Sequence, residues 1–276
     1  MFQRMKAGTM GRGRSRQGGF TLVEMSVALA AAGLLFAAVM TGQELIDQTK
    51  ATKLLNDVKS VEMQIQQYAQ LKGRMPGDCN ADGIIDFAAD ATSRLDTDNT
   101  TRALKYGYAT TVPTPAGTAA TAATFDEGCV LQDSTNNTTS TTLAVSTTEA
   151  NTVINDLKLA GVISDSVPNR KFAKLVHEDF MFVGKITDKG GSSAADANYN
   201  AIVIHNVPQW MARRMATAIN GQDAVANRSR VRLLERSGSD GTYNGLWNTT
   251  ASGTTGNSRD AMVTVVYFFD RIPATS

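Results

Sequence analysis

Oxygen-bearing side chains recur along residues 74–90, RMPGDCNADGIIDFAAD, at a spacing that could bind calcium. Calcium loops place ligands at positions 1, 3, 5, 7 and 9, with a turning glycine at position 6, which here is Gly83. The candidate ligands are Asp78, Asn80, Asp82, Ile84 through its carbonyl, Asp86 and Asp90. The usual acid at position 12 is absent, because Ala89 stands there and Asp90 follows one place late. The pattern therefore allows two interpretations, a calcium loop and an acidic turn that holds no metal.

The chain has two cysteines, Cys79 and Cys129, which could form a disulfide. Disulfides persist in oxidising compartments, so this pairing requires that residues 74–276 leave the cytoplasm. The bridge would close a loop of about 50 residues and stabilise the fold by roughly 4 kcal/mol. The alternative is two separate thiols.

A single carboxylate, Glu24, lies within a long apolar segment, residues 20–40. As an α-helix this segment would be about 31 Å long, close to the thickness of a bilayer's hydrocarbon core. The preceding residues 1–19 carry five basic residues and no acid, so they would stay in the cytoplasm and the rest of the chain would face outwards. Within a bilayer the carboxylate costs about 2.5–3.5 kcal/mol or more, so it should have a partner.

Two ordinary interpretations of this segment leave features unexplained. A secretory signal peptide would have a shorter apolar region and a cleavage site of small residues after it. A plain membrane anchor could place Glu24 near the membrane interface, but it gives no reason for the sequence Gly18-Gly19-Phe20 ahead of it.

The segment RQGGFTLVEMSVALAAAGLLFAAVM, residues 16–40, resembles the N-terminus of type IV pilins and of the pseudopilins of type II secretion. The resemblance rests on GFTLVE, residues 19–24, between a basic leader and a long apolar run. It implies that prepilin peptidase cuts between Gly19 and Phe20 and that the new N-terminus at Phe20 is methylated. It also implies that Glu24 meets the N-terminal amine of a neighbouring subunit during assembly.

The helix is expected to continue beyond the membrane, as an amphipathic segment over residues 41–73. One apolar face recurs at helical spacing, through Leu54, Val58, Val61, Ile65 and Tyr68. Gly73, followed by Pro76, is a normal stop signal. The resemblance implies that this half of the helix packs on a globular head.

Residues 74–276 are expected to form that head, in an α+β fold with an antiparallel sheet. Four segments rich in β-branched and aromatic residues predict strands: DFMFVGKI, NAIVIHNV, RVRLLE and AMVTVVYFF, which begin at residues 179, 200, 230 and 261. EANTVINDLKLAGVI (149–163) and VPQWMARRMATAIN (207–220) predict helices. The Thr-rich residues 109–148 predict loop or edge structure, and the Gly-rich ERSGSDGTYNG (235–245) predicts a loop.

Charge and motifs argue against nucleic-acid binding and against catalysis. The whole chain carries +1 and the leader +5, which leaves −4 for the rest. A local cluster of Arg213, Arg214, Arg228, Arg230 and Arg232 is expected to be a solvated surface, with DNA contact as the minor alternative. His177 and His205 lie in predicted strands, and no catalytic motif such as G-x-S-x-G or H-E-x-x-H is present.

These observations predict a structural protein that has no enzymatic activity and no cofactor other than the calcium considered above. The expected partners are other pilin subunits, prepilin peptidase and the inner-membrane assembly machinery. Before assembly the chain would sit in the bacterial inner membrane as a single-pass protein with its head outside the cytoplasm. A mature chain from Phe20 is large for a major pilin, which favours a minor or specialised pilin in a pilus. The alternatives are a periplasmic pseudopilin of type II secretion and a membrane-anchored binding protein.

Overall fold

The computed structural model describes residues 21–89, 106, 114–115, 127–129, 150–188, 197–221, 229–237, 240–244 and 261–272. The helices in this part are α1 (Leu22–Lys72), α2 (Asn151–Leu159), α3 (Asn169–Ala173) and α4 (Gln209–Asn220). The strands are β1 (Thr114–Pro115), β2 (Glu127–Gly128), β3 (Met181–Asp188), β4 (Ala197–Pro208), β5 (Val231–Ser237), β6 (Asp240–Asn244) and β7 (Met262–Phe268). The chain divides into two compact units, Met1–Ile46 and Asp47–Ser276.

The second unit is built on a five-stranded sheet in the order β3-β4-β7-β5-β6, in which all neighbours are antiparallel. Strands β1 and β2 form a separate parallel pair. A long N-terminal helix and an antiparallel sheet together confirm the predicted α+β class.

The sheet is buried on both faces at its centre. Residues 201–204 of β4 and 265–268 of β7 are buried without interruption, although successive side chains of a strand point to opposite faces. This explains why their sequences are continuous apolar runs and do not alternate with polar residues. The buried face of α4, which includes Met211 and Met215, belongs to the same core.

The part of α1 in the second unit has one buried face, and it is the predicted one. Leu54, Val58, Val61, Ile65 and Tyr68 are all at most 4% exposed. The helix ends at Lys72, and Gly73 follows with φ +72°, a conformation that favours glycine because it has no Cβ.

The prediction of a loop over residues 235–245 was wrong. Strand β5 extends to Ser237, and β6 returns beside it with Ser237 opposite Asp240 and Leu233 opposite Asn244. Residues such as Ser, Gly and Asp favour turns over strands. Residues 240–244 nevertheless form a strand, because the edge of β5 supplies their backbone hydrogen-bond partners.

The expected strand location was also wrong for His177. Its neighbours form a tight turn between α3 and β3, in which the N–H of Leu175 donates to Asp179 and the N–H of Glu178 donates to Leu175. Glu178 adopts φ +69°, which a strand would not contain. His205 does lie in a strand, β4.

The segment that follows α1 covers the outer edge of β3. The N–H of Lys185 donates to the carbonyl of Phe87 at 2.7 Å, and the N–H of Ala89 donates back to Lys185 at 2.9 Å. Gly184 permits this approach, because a Cβ there would collide with the Phe87 carbonyl oxygen and ring. The segment thereby occupies hydrogen-bonding groups that an exposed sheet edge would leave unpaired.

Candidate functional site

The first unit exposes an unusually apolar helix surface. Helix α1 is long and apolar enough to cross a membrane, and none of its most apolar 18-residue window is buried. Large apolar side chains in this part are 51–86% exposed: Leu22, Val23, Met25, Val27, Leu29, Leu34, Leu35, Phe36, Val39, Met40, Leu45 and Ile46. An apolar surface of this extent needs a lipid or protein environment.

Glu24 and Thr21 form a capping box at the start of this helix. The Thr21 backbone N–H and hydroxyl each donate to Oε2 of Glu24 at 2.9 Å. The Glu24 N–H donates to the Thr21 hydroxyl oxygen at 3.2 Å. These bonds satisfy groups that a helix start leaves unpaired, and the carboxylate lies where the helix dipole favours a negative charge.

Glu24 therefore has a local structural role that was not predicted from the sequence. The signal was present, because Thr-x-x-Glu ahead of an apolar run is the sequence pattern of a capping box. Gly19 and Phe20, the predicted cleavage pair, lie outside the described residues.

The oxygen-rich segment after α1 is a tight turn ordered around Asp78, which is 1% exposed. One oxygen of its carboxylate accepts the N–H of Gly83 at 2.9 Å and the other accepts that of Asp82 at 3.2 Å. Further along, Asn80 accepts the Asp82 N–H, and Asp82 accepts the Ile84 N–H at 2.7 Å. Each of these side chains closes the backbone turn that follows it.

Asp86, the last described candidate ligand, folds back on the start of the turn. Its Oδ2 accepts the N–H of Cys79 at 2.9 Å. Burial raises the pKa of this carboxyl, although the Cys79 hydrogen bond acts in the opposite direction. Asp90 lies outside the described residues.

The donor set fits a calcium ion only in part. Within the described ranges, no group of three or more acidic, cysteine or histidine side chains is gathered closely enough to hold a metal. Asp78 and Asp82 direct oxygens at backbone N–H groups, and Ala89 at position 12 is fully buried. The observed hydrogen bonds account for the turn without an ion, and calcium binding stays a prediction.

Asn200 of β4 attaches this turn to the sheet. Its Oδ1 accepts the N–H of Ile85 at 2.9 Å, and its Nδ2 donates to the carbonyl of Gly83 at 2.8 Å. Asn200 is fully buried, so both hydrogen bonds form away from water and are costly to lose.

Cys79 and Cys129 form a disulfide, with their Cα atoms 5.0 Å apart. The bridge joins the turn after α1 to the end of β2, and both cysteines are buried. Next to the bridge, Asp156 of α2 forms an ion pair with Arg74 at 3.1 Å.

This ion pair was not predicted from the sequence. Asp156 is three residues after Val153 and therefore lies on the apolar face of its helix, where an acid is unexpected. That position was the available signal, but it could not identify Arg74 as the partner.

The clustered arginines do not form one basic surface. Arg232 is 1% exposed, donates to the carbonyl of Ser229 at 3.0 Å and lies over the Phe268 ring. Arg230 is half-buried, the two arginines of α4 are exposed, and Arg228 lies outside the described residues. At least one member is thus structural, which weakens the alternative of DNA contact.

Comparison with known proteins identifies the N-terminal segment. No curated protein and no solved structure matched the chain. The family model described as the prokaryotic N-terminal methylation motif matches residues 14–40, which contain the capping box and most of the exposed apolar surface. The chain therefore carries, at residues 14–40, the N-terminal methylation motif that is the signature of type IV pilins and pseudopilins.

Proposed function

We propose that this chain is a structural subunit of a type IV pilus, made as a precursor and assembled from the inner membrane. Prepilin peptidase cuts between Gly19 and Phe20, and Phe20 is then methylated. The mature subunit passes from the membrane into a filament, in which its apolar helix packs against those of other subunits. The methylation motif at residues 14–40 supports this assignment.

One observation carries the proposal furthest, the presence of Glu24 in an exposed apolar helix. The two hydrogen bonds from Thr21 offset part of the cost of this carboxylate in lipid. Cleavage creates an ammonium at Phe20, which is equally costly alone in lipid. Pairing the Glu24 of one subunit with the ammonium of another relieves both costs and fixes their register.

The long chain favours a minor or specialised pilin. A pseudopilin of type II secretion carries the same motif, so it is the second candidate. A monomeric membrane-anchored binding protein is the alternative from another class. The capping box would account for Glu24 in such a protein, but the match of residues 14–40 to the methylation motif would have no explanation.

The experiment is mass spectrometry of the N-terminus in filaments sheared from the cell surface. A mature chain that begins at methylated Phe20 and is recovered in sheared fibres supports the pilus subunit. Processed protein that stays in the membrane fraction supports the pseudopilin. A chain that keeps residues 1–19 contradicts both.

Two glycine variants provide a matched control for processing. Gly19→Val changes the residue immediately before the proposed cut and is expected to leave the leader attached. Gly18→Val adds the same side chain one residue earlier and is expected to permit cleavage. Equal processing of both variants would contradict a cut after Gly19.

A further inference from the structure

The carboxylate of Asp156 connects the two chain segments that carry the disulfide. Its Oδ1 accepts the N–H of Cys129 at 2.7 Å. Its Oδ2 accepts the N–H of Gly77, two residues before Cys79, at 2.9 Å. One side chain on α2 therefore holds the backbone on both sides of the sulfur–sulfur bond.

Arg74 makes a second connection between the same segments. Its Nη1 donates to the carbonyl of Asp78, next to Cys79, at 2.9 Å and to Asp156 at 3.1 Å. Its Nη2 donates to the carbonyl of Cys129 at 3.2 Å. The planar guanidinium presents several donors at fixed angles, so it can bridge two backbones where a lysine could not.

Two glycines allow both segments to approach α2. A Cβ at Gly77 would lie 2.6 Å from a methyl carbon of Val153. A Cβ at Gly128 would lie 2.7 Å from Oδ1 of Asp156 and 2.6 Å from a methyl carbon of Leu159. Each cysteine segment thus has a glycine where it meets the helix.

The ion pair is buried, with Asp156 2% exposed. Burial raises the pKa of this carboxyl, while the hydrogen bonds from Gly77 and Cys129 and the charge of Arg74 act against the rise. A buried ion pair is tolerated only when further hydrogen bonds satisfy it. Here those bonds come from both cysteine segments, so the pair is fully satisfied only when the segments are together.

We propose that the Arg74–Asp156 pair is a template that brings Cys79 and Cys129 together before they are oxidised. Arg74 and Asp156 are positioning residues and do not react. The reaction is thiol–disulfide exchange with an external disulfide. One cysteine thiolate attacks that disulfide, forms a mixed disulfide and releases a thiol. The second cysteine thiolate then attacks the first cysteine's sulfur and releases the other thiol. The protein loses two electrons and two protons, and the external disulfide gains them.

The proposal requires that the head reaches an oxidising compartment, but it does not depend on assembly into a filament. It can be tested on the full-length protein in detergent micelles. The reduced protein is equilibrated in buffers of reduced and oxidised glutathione, free thiols are blocked by alkylation, and the disulfide fraction is measured by intact mass. The effective concentration of the two thiols follows from this fraction and the glutathione ratio.

Asp156→Asn is expected to lower the effective concentration in the native protein about 10-fold or more, because hydrogen bonds to a charged group are stronger than neutral ones. Asp165→Asn, the same substitution at an exposed position after α2, should match the unmodified protein. In denaturant all three proteins should give one common value. Circular dichroism checks that each variant is folded.

A purely structural role for Asp156 predicts a different result. A folded but less stable Asp156→Asn protein would then show the same effective thiol concentration as the folded unmodified protein. That result would overturn the proposal.

A second measurement does not depend on any change to the ion pair. In the Cys79→Ala/Cys129→Ala protein, the backbone amides of residues 77 and 129 should remain protected from hydrogen exchange, because Asp156 still accepts both. Loss of protection at both amides would show that the disulfide holds the ion pair in place, and would overturn the proposal.

Discussion

The ammonium nitrogen of Lys59 lies 2.6 Å from the hydroxyl oxygen of Tyr267, although the two residues are 208 positions apart in the chain. Both atoms also contact Oε2 of Glu62, at 2.9 Å from Lys59 and 2.7 Å from Tyr267. This network connects α1 to the central strand β7. It fixes the helix on the sheet more specifically than apolar packing could, because hydrogen bonds require defined geometry.

Removal of the Tyr267 hydroxyl should destabilise the head. In Tyr267→Phe, the buried carboxylate of Glu62 loses a donor, and we expect the free energy of unfolding to fall by about 1–3 kcal/mol. Denaturant unfolding followed by tryptophan fluorescence measures the change. Tyr199→Phe, which removes a hydroxyl from a partly buried tyrosine outside the network, is the control. Equal stability of the two variants would show that the network contributes little.

The same network should make stability fall at alkaline pH. Burial raises the pKa of Tyr267. Burial alone would lower the pKa of Lys59, but the hydrogen bonds to Tyr267 and Glu62 outweigh it and raise that pKa. Both groups then bind their protons more tightly in the folded state. Their contribution is complete below their unfolded pKa values, about 10, and is lost as pH rises through the folded values.

The check is the free energy of unfolding measured at a series of pH values from neutral to alkaline. Tyr267→Phe should lose less stability over the alkaline range than the unmodified protein. Tyr68 and Tyr106, whose pKa values burial also raises, remain in both proteins and should affect both curves equally. Parallel curves would therefore contradict the assignment of the alkaline loss of stability to the Tyr267 network.

Gly184→Ala should separate the segment after α1 from the edge of β3. The added methyl group would meet the carbonyl oxygen of Phe87, which accepts the N–H of Lys185. Overpacking of this kind costs about 1–3 kcal/mol. Thermal unfolding of the full-length protein measures the loss. Gly33→Ala adds the same methyl group where nothing lies within 4 Å and should leave the head unchanged.

The turn at Asp78 should depend on its carboxylate whether or not calcium is present. Asp78→Ala leaves the Gly83 N–H without its acceptor and leaves the Asp82 N–H with Asn80 alone, and we expect about 1–3 kcal/mol of lost stability. Unfolding is compared in a chelator and in millimolar calcium. If calcium stabilises the unmodified protein and Asp82→Ala abolishes that gain, the loop binds calcium and the metal-free interpretation is wrong.

Glu24→Gln should permit processing but prevent normal assembly. The amide keeps the shape of the side chain, but it cannot pair as an anion with an N-terminal ammonium. Immunoblots of the membrane and sheared-filament fractions should show mature protein in the first and a large loss from the second. Glu44→Gln, the same change further along α1, should assemble normally. Filaments that contain Glu24→Gln at the usual level would contradict the proposed pairing.

Short-range patterns in the sequence were sufficient for much of the structure. The buried face from Leu54 to Tyr68 and the end of α1 before Gly73 follow from helical periodicity and from a residue that tolerates positive φ. The methylation motif is also linear, because it is one continuous stretch of the chain, residues 14–40. Such features need no partner that is distant in sequence.

Tertiary structure decided the features that depend on distant partners. An aspartate on the apolar face of α2 is unexplained until Arg74, 82 positions away, lies beside it. The segment that forms β6 contains turn-forming residues and becomes a strand only because β5 offers a hydrogen-bonding edge. Gly184 is required only because Phe87 approaches it. The sequence by itself determined the helix, the motif and the fold class, since these rest on local periodicity. Only the folded chain could determine these pairings, because each is selected by three-dimensional proximity.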